Sequence, residues 1–115
     1  MKSKIGDIER LGHILDAIEF IEKATSGKTE EQFQDDFILH TAVVKWIEII
    51  GEACYKITTE LKNSRHQIEW RKIEGLRHVL VHEYFGIDLQ RVWIVVVDYL
   101  PFLKDEIIQL QKDIK

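Results

Sequence analysis

Residues 92–97 read VWIVVV, a β-branched run that is a strand on propensity alone, and its reading decides the class of the fold. A strand needs a partner, since a lone strand buries no face and pairs with nothing. No second strand candidate exists in the 115 residues. The run is therefore read as part of a helix that Asp88 caps and that continues past Pro101 to Ile114. Pro101 lacks an N–H and its ring clashes with the preceding turn, so it must kink that helix or begin a new one.

The rest of the chain is patterned at helical period. Ile8, Leu11, Ile14, Leu15, Ile18 and Ile21 predict a first helix over 5–25, closed by the glycine of Ser26-Gly27-Lys28. Thr29 and Gln32 have capping-box spacing and open a short turn or helix before Asp35 and Asp36. A broad stripe of Ile38, Ala42, Val43, Trp46, Ile47, Ile50, Ala53, Cys54 and Ile57 predicts a long, largely buried second helix over 37–61. The polar KNSRHQ at 62–67 is a connector, and a third helix follows over 70–83. The expected fold is all-α, an up-and-down bundle of four to five helices in a single domain over residues 1–115.

Composition narrows the setting. With 45% hydrophobic and 31% charged residues the chain has the profile of an ordinary globular protein, and an apolar surplus in so small a chain favours a dimer. The lone Cys54 rules out an intrachain disulfide and reads as a small buried hydrophobe on the second helix, which suits a reducing compartment. No stretch is long and apolar enough to span a bilayer and MKSKIGDIER lacks a secretory core, so the expected location is cytoplasmic, away from membranes. A formal charge of −4 argues against coating nucleic acid broadly, although a few cations in one cleft still bind phosphate.

Residues 75–86, GLRHVLVHEYFG, concentrate the reactive groups. Glu74, His78 and His82 are spaced i, i+4, i+8 along one helix face, a pattern compatible with zinc, yet such a site needs further ligands and no clear set is present. No metal or cofactor is expected. His13, His40 and His66 have no catalytic neighbours in sequence and are assigned to surface or packing. Arg77 and His82 differ by about 140° around a regular helix, so they meet only where the helix distorts or ends, or where a second chain completes the cleft. Arginine offers a planar fork for phosphate and histidine moves a proton near neutrality. Together they are a minimal set for cleaving a phosphodiester that carries its own nucleophile, as RNA does in its 2′-hydroxyl.

The sequence resembles the HepT-like toxins of the HEPN superfamily, whose signature R-x-x-x-x-H-x-Y is met by Arg77, His82 and Tyr84. RLGHILDAIEFIE at 10–22, AVVKWIEIIGEACYKI at 42–57 and WRKIEGLRHVLVHEYFGIDLQRVW at 70–93 extend the resemblance over most of the chain. The resemblance implies a HEPN-like fold and a metal-independent endoribonuclease that works as a homodimer, with the motif of both subunits lining one cleft. It implies that Arg77 holds the scissile phosphate, and that His82 either assists proton transfer during 2′-hydroxyl attack, giving a 2′,3′-cyclic phosphate end, or stabilises the charge that develops. It further implies the toxin of a type II-like toxin–antitoxin pair, silenced when an MNT-type nucleotidyltransferase antitoxin adds AMP to Tyr84. Two positions depart from the family pattern. His78 stands where asparagine is common and is the expected substrate contact, and Glu83 stands where glycine is common and either repels phosphate or favours protonated His82. The competing reading is a non-catalytic helical module that docks a nucleotidyltransferase; the intact Arg, His and Tyr triplet favours the nuclease.

Overall fold

The computed structural model describes residues 4–82 and 86–114, with the side chains of Lys4, Ile5, His78, Val79, Val81 and His82 excepted. Its elements are α1 (Lys4–Thr25), α2 (Glu30–Asp35), α3 (Phe37–Lys56), α4 (Thr59–Asn63), α5 (Trp70–His82) and α6 (Leu89–Ile94), then a π-helical turn (Val95–Tyr99) that runs into α7 (Leu100–Asp113). Among the described residues there is no strand, and the fold is the expected all-α bundle.

Local chemistry sets most of the boundaries. After α1 the chain turns at Gly27, whose φ of 74° lies in the left-handed region that favours glycine. Thr29 then opens α2 with a complete capping box: its Oγ1 accepts from the Gln32 N–H at 3.1 Å, and Gln32 Oε1 accepts from the Thr29 N–H at 2.9 Å. Asp36 caps α3 by accepting from the Leu39 N–H at 3.0 Å, and Asp88 caps α6 by accepting from the Arg91 N–H at 3.2 Å.

The long helices α1, α3 and α7 supply most of the core. Leu11, Ile14, Ile18 and Ile21 of α1 are fully buried with Val43 and Cys54 of α3 and with Leu103 and Ile107 of α7. The short α2 contributes Phe33, fully buried with its ring centroid 5.1 Å from that of Trp93.

Two expectations from the sequence need correction. The second helix does not run to residue 61: α3 stops at Lys56, Ile57 is extended with ψ 145°, and Thr58 caps the separate α4. The cause is distant in sequence. Asp7 of α1 is 3% exposed and accepts from both the Thr58 N–H at 2.9 Å and the Thr58 hydroxyl at 2.6 Å, which holds residue 58 out of helical geometry. The stripe on α3 also starts later than expected, because Ile38 is 81% exposed. Phe33 already closes that end of the core, so the first turn of α3 stands clear of it. Pro101 does begin a new helix, as expected: it lies in the first turn of α7, where its missing N–H costs little, and the π-helical turn before it closes with Leu100 donating to the carbonyl of Val95, five residues back.

Candidate active site

α5 lies against α3, and the contact is close because Gly51 faces it. A Cβ at Gly51 would sit 2.3 Å from Cβ of Arg77 and 3.1 Å from the carbonyl oxygen of Ile73, a distance no side chain tolerates. Gly51 thus lets the two backbones approach at the turn that carries Arg77.

Arg77 is positioned by its neighbour on α3. Its Nε forms an ion pair with Glu52 Oε2 at 2.8 Å, while the other carboxylate oxygen of Glu52 lies 3.4 Å from Lys56 Nζ. The Arg77 side chain remains 36% exposed, so the pair sits at the surface and not inside the core. Nε uses one of the five N–H donors of a guanidinium, and the terminal fork is the part whose shape suits phosphate. Arg77 forms one wall of a cleft of about 440 Å³ to which α1 contributes Arg10 and α3 contributes Lys56.

Helix α5 is regular through His82, so the backbone positions of Arg77 and His82 differ by about 140° around its axis and about 7.5 Å along it. The side chains of His78 and His82, and the whole of Glu83 and Tyr84, lie outside the described residues. Glu74, the carboxylate of the suggested metal face, is engaged by Lys62 Nζ at 3.3 Å. Cys54 is fully buried, and burial first, with the nearby Glu74 carboxylate second, pushes its thiol well above the ordinary value, as a packing role requires.

A family model for ribonuclease HepT-like proteins matches residues 14–110. The chain belongs to the HepT-like family. Relatives agree with this: a candidate RNase of Caldanaerobacter subterraneus subsp. tengcongensis is 35% identical over 104 residues, 90% of this chain and 93% of that one. A candidate HepT ribonuclease of Thermococcus cleftensis is 37% identical over 102 residues, 89% of this chain and 93% of the relative. A gamma-glutamylcyclotransferase and candidate RNase of Methanocaldococcus jannaschii is 39% identical over 104 residues, and there the match spans 90% of this chain but only 47% of the relative, about half its length. No solved structure matches.

Within this HepT-like chain, sequence reasoning missed Glu52 and Lys56. Both fall in GEACYK at 51–56, which begins with Gly51, and their i, i+4 spacing marks a paired carboxylate and amine on one helix face. The signal was available, but it points to Arg77 only once α3 and α5 are known to pack together. No helix among the described residues of this HepT-like chain is long and apolar enough to cross a membrane.

Proposed function

We propose that this chain is a cytoplasmic, single-domain endoribonuclease that cleaves RNA without a metal ion and acts as the toxin of a toxin–antitoxin pair. The observation that carries the reading is Arg77, a motif arginine held by Glu52 in an open cleft, on the same helix and five residues before the motif histidine. In the reaction the RNA 2′-oxygen attacks phosphorus and the P–O5′ bond breaks. The products are a 2′,3′-cyclic phosphate and a 5′-hydroxyl. Arg77 neutralises the charge that builds on the phosphate oxygens, His82 takes part in moving the proton from the 2′-hydroxyl towards the leaving 5′-oxygen, and His78 contacts substrate. The attacking group belongs to the substrate, so the scheme needs no metal-activated water.

The 140° between Arg77 and His82 supports a twofold dimer, in which the motifs of two copies line one cleft. The regulatory partner in this reading is an MNT-type nucleotidyltransferase. The Tyr84 hydroxyl attacks the α-phosphorus of ATP, pyrophosphate leaves, and the added AMP sets bulk and negative charge where the RNA phosphate belongs.

The decisive experiment is incubation of the purified protein with transfer and messenger RNA, followed by analysis of the ends. Cyclic phosphate ends formed equally well in EDTA, and lost in Arg77→Ala and His82→Ala proteins of unchanged helicity, are expected. Full activity in either variant would sink the mechanism, and loss of activity in EDTA would restore a metal reading. Co-expression with an active nucleotidyltransferase should add AMP to wild type and leave Tyr84→Phe unmodified and still cutting.

A further inference from the structure

We propose that the groove between α1 and α3 is a track for single-stranded RNA, running from Arg77 to an aromatic platform made by Phe20 and Trp46. The proposal rests on the reading of this protein as a ribonuclease and extends it to the part of the substrate that flanks the cut.

The cleft beside Arg77 does not end there. Its walls continue along both helices, with Arg10 and His13 from α1 facing Lys45 and Lys56 from α3. Arg10, Lys45 and Lys56, and the imidazole of His13, each have near neighbours on their own helices. Lys45 Nζ lies 4.0 Å from Glu48, His13 Nε2 lies 4.0 Å from Glu9, Lys56 Nζ lies 3.4 Å from Glu52, and Arg10 donates to the Gly6 carbonyl at 3.2 Å. The Lys45 and Lys56 pairs lie at the surface and are each worth little, so a phosphate entering the groove exchanges for their carboxylates at small cost. The same carboxylates keep the groove from attracting polyanions in general, in keeping with the acidic balance of the whole chain.

Beyond the lining residues of the cleft, along the same two helices, the chemistry changes from charge to aromatic surface. Phe20 lies seven residues beyond His13 on α1, which returns it to nearly the same face, and its ring stacks on Trp46 of α3 with centroids 5.7 Å apart and planes inclined by 26°. Trp46 is half-buried against the core, whereas Phe20 is 49% exposed and carries the open side of the pair. Trp46 lies seven residues from Ala53, a lining residue of the cleft on nearly the same face of α3, about 10 Å along the helix axis. About three nucleotides at a stacked rise of roughly 3.4 Å cover that distance. A line of cations leading to an aromatic platform is the arrangement that binds single strands, in which phosphates follow the charge and an unpaired base stacks on the ring. In a duplex the bases are engaged with each other and the platform goes unused.

The test uses the whole protein and a fluorescein-labelled 2′-O-methyl oligouridine, which lacks the free 2′-hydroxyl that cleavage requires. Binding is followed by anisotropy for wild type, Phe20→Ala and Lys45→Gln, with circular dichroism to show that the helices are retained. Loss of the platform should weaken binding by about tenfold. Loss of the Lys45 charge should reduce the slope of log affinity against log salt by about one. A 5-bromouridine version should crosslink to Phe20 or Trp46. Wild-type affinity and salt slope in both folded variants, with no crosslink on α1 or α3, would overturn the track. If wild type cuts RNA while the variants bind as it does, the track alone falls. If wild type binds the oligomer through these residues but cuts no RNA, the ribonuclease reading falls and the track stands. If wild type neither binds nor cuts, both fall.

Discussion

Gly51 and Arg77 meet where α3 and α5 come closest, and a Cβ on the glycine would lie 2.3 Å from Cβ of the arginine. Gly51→Ala therefore overpacks the contact by about 1–3 kcal/mol, against a gain of about 1 kcal/mol in helix propensity. The expected result is a lower urea midpoint, together with loss of RNA cleavage out of proportion to the loss of stability, because the residue displaced is Arg77.

Glu52 both steadies Arg77 and competes with phosphate for it. Glu52→Gln keeps an acceptor for Nε and removes the negative charge, so RNA binding should tighten. Glu52→Ala removes the support altogether, and a misplaced guanidinium should lower kcat by about tenfold or more. Steady-state kinetics on one defined RNA separate the two effects, and equal kcat in all three proteins would contradict the positioning role.

The link from Asp7 to Thr58 ties the first helix to the break between α3 and α4. Asp7→Ala leaves a backbone N–H and a hydroxyl without their acceptor and should cost about 2–3 kcal/mol, with Asp7→Asn costing about 1 kcal/mol because one acceptor survives. Thermal melts at neutral pH read the difference. A neutral Asp7→Ala would mean that residue 58 finds another partner.

Alkaline pH should weaken the fold. Burial raises the Cys54 thiol from its ordinary 9.0 and pushes the Tyr99 phenol from 10.0 up to about 12. Both groups are harder to ionise when folded, so their contribution is complete below about pH 9 and is lost as pH rises above it, first as the unfolded thiol ionises and then over about 10 to 12 for the phenol. The midpoint of urea unfolding should fall between pH 8.5 and 10.5. In Cys54→Ala, less stable overall, the fall should be smaller, and native Cys54 should react with a thiol reagent only after unfolding. Rapid labelling of the native protein would contradict the buried assignment.

What was legible in the sequence was local. The capping box at Thr29 and Gln32, the cap at Asp88 and the period of α1 all follow from residues within a turn or two of each other, whereas the choice of helix for VWIVVV rested on the want of a partner strand anywhere in the chain. What was not legible depends on partners far along the chain. Nothing near Ile57 announces that α3 stops there, because the acceptor is Asp7, 51 residues away. Ile38 carries the right period but lies beyond the end of the core, where α2 has already placed Phe33. Arg77 was found from its motif, whereas Glu52 belongs to its setting only through the packing of α3 on α5.

The widened turn at 95–99 also governs rotational phase. A π-helical turn houses one more residue than an α-helical turn of the same span, so it absorbs about 100° of rotation that would otherwise be passed to α7. The inward aim of Leu103, Ile107 and Leu110 is therefore set upstream of the helix that bears them. Removing one residue from this turn would restore ordinary hydrogen bonding without disturbing that aim, were it not for Pro101, whose ring would then meet the carbonyl four residues back. Shortening the turn and replacing the proline should consequently be tolerated together and damaging when the shortening is made alone.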